Sequence, residues 1–300
     1  MSSRERSLEP SSAVSIRADP RPDDRVILEV NARYLRAGLS GETGPRVQLS
    51  ADWKHDFYHA FWDQNNMDVF LTCDKLELAF RNVWNNYLLV DGKSRRVVLV
   101  DDPLLPDPFR NCICYVLFTY LQVPSITLMS LPLCAVFGSG LASGLVVDMA
   151  WSEITVTPVY LMIPLHVYGR ASNIGGEMWT QLHGKSRDFA EIQSDLEQVE
   201  DFEFWLDPPS EIDQLSIPAL IRDVLENVSM DLVRPLRQRV IFVGQLAKNM
   251  GLIFAIMTAL GNKYRAIESE GCWEGASIFA AIHGVGKTQL ERDSWTWSRE

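Results

Sequence analysis

Positive charge is scarce in this chain. Against 39 Asp and Glu there are 28 Lys and Arg, a formal net charge of −11, and without clustered cations there is nothing to neutralise a phosphate backbone, which argues against a nucleic-acid binder. The opening MSSRERSLEP lacks the apolar core of a secretory signal, and Glu5, Glu9 and Asp19 argue against a mitochondrial presequence. Cysteine is sparse and odd in number. Cys73, Cys112, Cys114, Cys134 and Cys272 all sit in apolar surroundings, which predicts buried free thiols in a reducing compartment rather than a disulfide scaffold. Charge of either sign is missing between Arg110 and Asp148, where 37 consecutive positions are neutral. That exceeds the ~20 residues needed to span a bilayer. The run is nevertheless broken by Gln122, Pro124, Pro132, Gly138, Gly140 and Gly144, so a buried β-α-β layer accounts for it better than a membrane span.

What is present is a globular composition. With 300 residues, 47% of them apolar and 22% charged, the chain can bury about three quarters of its unfolded surface. Residues 1–24 are rich in Ser, Pro and charge and predict a disordered tail. RVILEV and ARYLRAGL then read as strands, SGETGPR as a turn, and residues 51–90 as mostly helical. RRVVLVDD is a strand, CICYVLFTYL a helix, VPSITLM a strand, LPLCAVFGSG a short helix and GLVVDM a strand. EITVTPVYLMIPL is again β, IGGEMWTQL opens a helix, IPALIRDVLENV is helical, RQRVIFVG is a strand followed by a helix to Leu260, and ASIFAAIHG is the last helix. Strands alternating with helices through both hairpins and crossovers predict an α/β fold. No repeat of 20–50 residues is visible, although the strand-and-turn units ending at Asp148 and Gly244 resemble each other loosely.

Several motifs fall short of the chemistry they suggest. HGVGKTQ at 283–289 ends like a phosphate loop, but Ala281 stands where the first glycine belongs and the preceding ASIFAAI is helical. His55 and His59 share a spacing of four, yet Asp56 follows the first of them where a zinc peptidase needs Glu. Cys112 and Cys114, two apart, point to different sides of a helix. Asn227-Val228-Ser229 is a glycosylation sequon that means little without a secretory signal.

From Asp188 to Asp213 there are ten acidic residues and no Lys or Arg. At the centre of this stretch Phe202, Phe204 and Trp205 are interleaved with Glu200, Asp201 and Glu203. One reading is a solvated helix running into a loop stapled by its aromatics. The other is a docking surface, in which those aromatics anchor a basic partner and the acids steer it.

AGLSGETGPR (37–46), SGLASGLVVDMAWSEITVTPVY (139–160), RVIFVG (239–244) and CWEGASIFAA (272–281) resemble, in order and near spacing, the two phosphate hairpins and the adenosine motif of the actin superfamily. The resemblance covers most of residues 25–300. Within the superfamily the chain is most similar to the divergent actin-related proteins at the pointed end of dynactin, through VPSITLMSLPLCAVFGSGLASGLVVD, RRVVLVDDPLLPDPFR and IPLHVYGRASNIGGEMWTQL. The resemblance implies an actin-like, two-lobed fold of the ribonuclease H-like and Hsp70 type. The first lobe would comprise 25–165 and 262–300, and the second 166–261.

Actins hold ATP and a metal ion between the two hairpins, so the resemblance implies a nucleotide cleft at Glu29, Asn31, Arg36, Asp148, Gly175, Gly176 and Gly244, with Glu29 and Asp148 as possible Mg²⁺ ligands. That cleft is degenerate. In Glu29-Val30-Asn31-Ala32-Arg33 both family glycines are replaced, and Arg36 stands where the family has a phosphate-reaching Lys. In the second hairpin Ala150 and Ser152 take glycine positions, Trp151 replaces a second acid, and Leu131 falls at the catalytic glutamine. A phosphate cradle works through backbone N–H groups at about 3 Å, and added Cβ atoms push that backbone away. The chain is expected not to be an enzyme, with residual ATP or ADP and Mg²⁺ as an open possibility. Only 48 residues separate GETGPR from RRVVLVDD, and Gly175–Gly244 is also short, so both pointed-end subdomains look reduced. The implied role is a cytoplasmic cap on the pointed end of dynactin's actin-related filament. Its partners would be filament subunits and other pointed-end subunits and, indirectly, dynein and microtubules. A nuclear actin-related subunit of a chromatin-remodelling complex is the alternative.

Overall fold

A computed structural model describes residues 25–31, 34–50, 68–183, 196–282 and 289–296. The expected tail at 1–24, the histidines at 55 and 59, residues 283–288 of the would-be phosphate loop and the first part of the acidic stretch lie outside the described residues.

The elements run in chain order as β1 (Arg25–Val30), β2 (Tyr34–Leu39), β3 (Val47–Ser50) and α1 (Val69–Asn82), then β4 (Arg96–Asp101), α2 (Asp107–Thr119), β5 (Ser125–Ser130) and α3 (Leu131–Gly138). They continue with β6 (Gly144–Met149), β7 (Ile154–Tyr160), β8 (Ile163–Pro164), β9 (Arg170–Ser172), α4 (Gly176–Leu182) and α5 (Glu203–Leu206). The last are α6 (Ile217–Asn227), α7 (Met230–Arg237), β10 (Val240–Val243), α8 (Met250–Leu260), β11 (Ala266–Ile267), α9 (Cys272–Ile282) and β12 (Gln289–Glu291).

Two sheets share one plan. The first has the order β12-β5-β4-β1-β2-β3, with β1, β4 and β5 parallel and β1-β2-β3 an antiparallel meander. The second has the order β11-β10-β6-β7-β8, with β6, β10 and β11 parallel and β6-β7-β8 the meander; β9 also pairs with β7. The loose likeness between the units ending at Asp148 and Gly244 does not mark the structural repeat. β6 and β10 are neighbours in one sheet, with Val243 opposite Asp148, and the true counterpart of β6 is β1.

Side-chain alternation turns the two sheets into layers, because successive strand residues face opposite sides. In β1, Val26, Leu28 and Val30 join the core beneath α1 and α2, whereas Ile27 faces the other way. In β6, Leu145, Val147 and Met149 face a core built with α6 and α8, whereas Val146 turns inward. Between the inner faces lie α3 and α9, carrying Leu131, Cys134, Ala135, Trp273 and Ala276. Those helices touch closely: a Cβ on Gly275 would lie 1.9 Å from the carbonyl oxygen of Cys134.

The sheets divide between α3 and β6, not at residue 165. β6, β7 and β8 precede the expected boundary yet hydrogen-bond into the second sheet, because β10 supplies their edge with a parallel partner. α9, in contrast, returns to β1 and buries Trp273 there, its Nε1 donating to the Ile27 carbonyl at 3.1 Å. The charge-free run resolves into most of α2 and then β5, α3 and the start of β6, and no helix among the described residues is long and apolar enough to cross a membrane. All five cysteines are buried and free.

Candidate functional site

Glu29 is the fifth residue of β1 and Asp148 the fifth of β6. The alternation that buries Val26 and Leu28 outward sends both acids inward, at the carboxyl ends of parallel strands, where α/β proteins commonly place their sites. Both line a cavity of about 240 Å³ together with Arg36, Asp102, Leu131 and Trp151. That volume is below the roughly 300–1,000 Å³ usual for small-molecule sites.

The first hairpin is bonded to itself. Glu29, 4% exposed, accepts from the Tyr34 hydroxyl at 3.2 Å and from Arg36 Nη1 at 3.4 Å. Arg36 also donates through Nε to Gln48 Oε1 at 2.9 Å and lies over the Tyr34 ring at 4.4 Å. The side chain of Asn31 accepts from the Tyr34 amide at 2.9 Å, and its own amide donates to the Tyr34 carbonyl at 3.0 Å. The groups expected to meet a phosphate are therefore already engaged. Tyr34 was not flagged from the sequence; its signal is its place across the hairpin from the Glu29 end of β1. Burial raises the Glu29 pKa, with Arg36 opposing it and Glu274 adding to it.

The second hairpin is closed by its own side chain. Asp148, 6% exposed, has its pKa pushed well above the usual carboxylate range by burial, with Asp102 and Glu29 adding repulsion. Asp102 is raised for the same first reason. It too was missed, although RRVVLVDD ends on it at the tip of β4, the strand beside β1. Gly244, with φ +92°, lets the chain pass Asp148: a Cβ there would lie 2.5 Å from Asp148 Oδ1 and 2.6 Å from the Met149 carbonyl oxygen. Among the described residues no group of three or more His, Cys, Asp or Glu is placed to hold a metal ion, so Glu29 and Asp148 gain no third ligand there.

The actin family model matches residues 69–189. Actin-related protein 10 of Dictyostelium discoideum is 24% identical over 178 residues, covering 51% of this chain and 37% of that protein. Actin-related protein 4 of Arabidopsis thaliana is 26% identical over 113 residues, covering 38% of this chain and 26% of that protein. Residues 69–189 carry an actin-family domain. Over half its length the chain resembles actin-related protein 10, and its two sheets, each a meander extended by parallel strands, fit an actin-like fold. It spans little more than a third of the first of these relatives and about a quarter of the second.

In this chain two expected groups of site residues have other work. Gly175 and Gly176 do not line the cleft. A Cβ at Gly175 would come within 2.3 Å of the Trp151 carbonyl oxygen, and one at Gly176 within 3.0 Å of the Trp151 ring, while the Glu177 amide donates to that carbonyl at 2.9 Å. The glycine pair lets α4 press on the back of the Trp151 turn. The aromatics of the acidic stretch are likewise internal. Trp205, 1% exposed, donates to the Ile174 carbonyl at 3.0 Å and stacks with Trp179 at 5.9 Å. Phe204 is buried against Trp205, and a Cβ on Gly251 would meet Phe202 at 2.9 Å. Burying these rings stabilises the second core more than exposure to a partner would, because each carries a large apolar area. Glu200, Asp201 and Glu203 stay exposed, so the docking surface loses the anchors it required.

Proposed function

We propose that this chain is a non-catalytic, architectural actin-related subunit. It would seat at the pointed end of a dynactin-type actin-related filament, dock further pointed-end subunits there, and so serve dynein-driven transport along microtubules in the cytoplasm. The observation that carries the non-catalytic part is the Met149-Ala150-Trp151-Ser152 turn, where an indole wedged against Gly176 forms the wall of the cleft. The Arg36–Glu29 pair adds to it, since the carboxylate already offsets the positive charge that a phosphate would meet. The residues present thus fit a Mg-nucleotide poorly, and no chemical step is assigned to them.

The pointed-end assignment rests on the likeness to actin-related protein 10 and on the short connections 47–94 and 175–244, which leave little chain for the two subdomains a further actin would contact. Isothermal titration of the intact protein with Mg-ATP is expected to give no micromolar binding; a micromolar constant would overturn the non-catalytic reading of the cleft. Electron microscopy of purified dynactin-type filaments is expected to find the subunit at one end. Placement in mid-filament, or nuclear localisation with co-elution of a remodelling ATPase, would replace the reading.

A further inference from the structure

The stretch from Arg234 to Arg265 contains six cations and no acid, in a chain with 39 acids. Among its cations Lys248 reaches a carboxylate, Glu197 at 3.7 Å. Arg234, Arg237, Arg239, Lys263 and Arg265 form no ion pair with any described carboxylate, although Glu226, Asp231 and Glu268 sit on neighbouring elements.

These five are gathered by the backbone. The Arg265 amide donates to the Arg237 carbonyl and the Val240 amide to the Arg265 carbonyl, both at 2.9 Å, and Gln238 Nε2 donates to the Lys263 carbonyl at 2.8 Å. The segments entering β10 and β11 therefore run side by side. On α7, Met230, Arg234 and Arg237 follow at intervals of four and three and share one helix face. Met230 is 90% exposed. The Arg237 guanidinium lies 5.7 Å from the Tyr264 ring centre, and its Nε is buried without an acceptor. A planar donor fork held over an aromatic ring suits a carboxylate.

We propose that Met230, Arg234, Arg237, Arg239, Lys263 and Arg265 form a docking face for an acidic protein segment that also carries an apolar residue. The guanidinium forks would take its carboxylates and Met230 would meet the apolar side chain, the pairing of Arg and apolar anchors typical of interface hot spots. A short protein segment is favoured over a nucleic acid because the chain's net charge of −11 repels a long polyanion beyond this face.

The test is fluorescence anisotropy of the full chain with a labelled peptide alternating glutamate and leucine. Binding is expected to weaken about tenfold or more as salt rises from low to physiological strength. The triple variant R234E/K263E/R265E, changed only at exposed positions, should lose at least about tenfold in affinity with an unchanged melting temperature. M230A should lose several-fold with the salt dependence intact. Absence of peptide binding, equal binding by the triple variant, or tighter binding of a single-stranded oligonucleotide or of phosphatidylserine vesicles would each overturn the proposal. The measurement uses the isolated chain, so it stands or falls independently of any place in a filament.

Discussion

At the scale of single residues, Asp148 shows what burial does to a carboxylate. It lies in β6 opposite Thr155, and Gly244 leaves room for its carboxylate. Its native pKa lies above its unfolded value, mainly through burial, so between the two values the folded state holds more protons than the unfolded one. Stability therefore falls as pH rises through that window. Asp148→Asn removes the ionisation and is expected to stabilise the protein at neutral pH by about 2 kcal/mol. Below about pH 4, where the unfolded carboxyl is also protonated, the variant and the parent should converge. Thermal melting of both proteins across pH checks the prediction, and a variant less stable at pH 7 would show that the charge itself is needed.

At the scale of elements, close approach decides what each position tolerates. α3 and α9 cross so tightly that Gly275 faces the Cys134 carbonyl, and Gly275→Val is expected to cost about 3 kcal/mol by forcing the helices apart. Chemical denaturation should show a lower midpoint with little change in slope. The β7–β8 hairpin offers the opposite opportunity. Its two turn residues, Leu161 and Met162, both have positive φ, at 47° and 65°, a conformation that costs ordinary side chains about 1–2 kcal/mol and that Asn tolerates better. Leu161 is exposed, so Leu161→Asn should raise the melting temperature by a few degrees. Met162 packs in the inter-sheet layer, and changing it would mix two effects.

At the scale of the whole molecule, the inter-sheet layer joins the two halves. Trp273 packs there with residues of both sheets, Ile27 and Val98 from one and Ile241 and Val243 from the other, and Gly38 gives its ring room, since a Cβ there would stand 2.7 Å away. The two halves are expected to unfold together. Trp273→Ala should cost about 3–5 kcal/mol. A melt followed by both near- and far-ultraviolet circular dichroism should then show one coincident transition in the parent at a higher temperature than in the variant.

The sequence by itself determined the main strands and helices of the two sheets, but not α7, β9, β11 or β12. Hydrophobic period, helix-opening prolines and closing glycines are local signals, and RVILEV, RRVVLVDD, GLVVDM and RVIFVG carry them without help from elsewhere. The absence of glycine from residues 29–36 and 149–152 is likewise read directly. Only the tertiary structure decided which strands pair, and hence that β6 repeats β1 and that the halves meet at α3 rather than at residue 165. Pairing depends on which edges remain free after the chain has folded back, and no local period encodes that. The same holds for Trp205 and for Gly175 and Gly176. An aromatic residue among acids, or a glycine pair ahead of a helix, looks alike whether it meets a ligand or its own core; burial against Trp179 and the Trp151 turn made the difference.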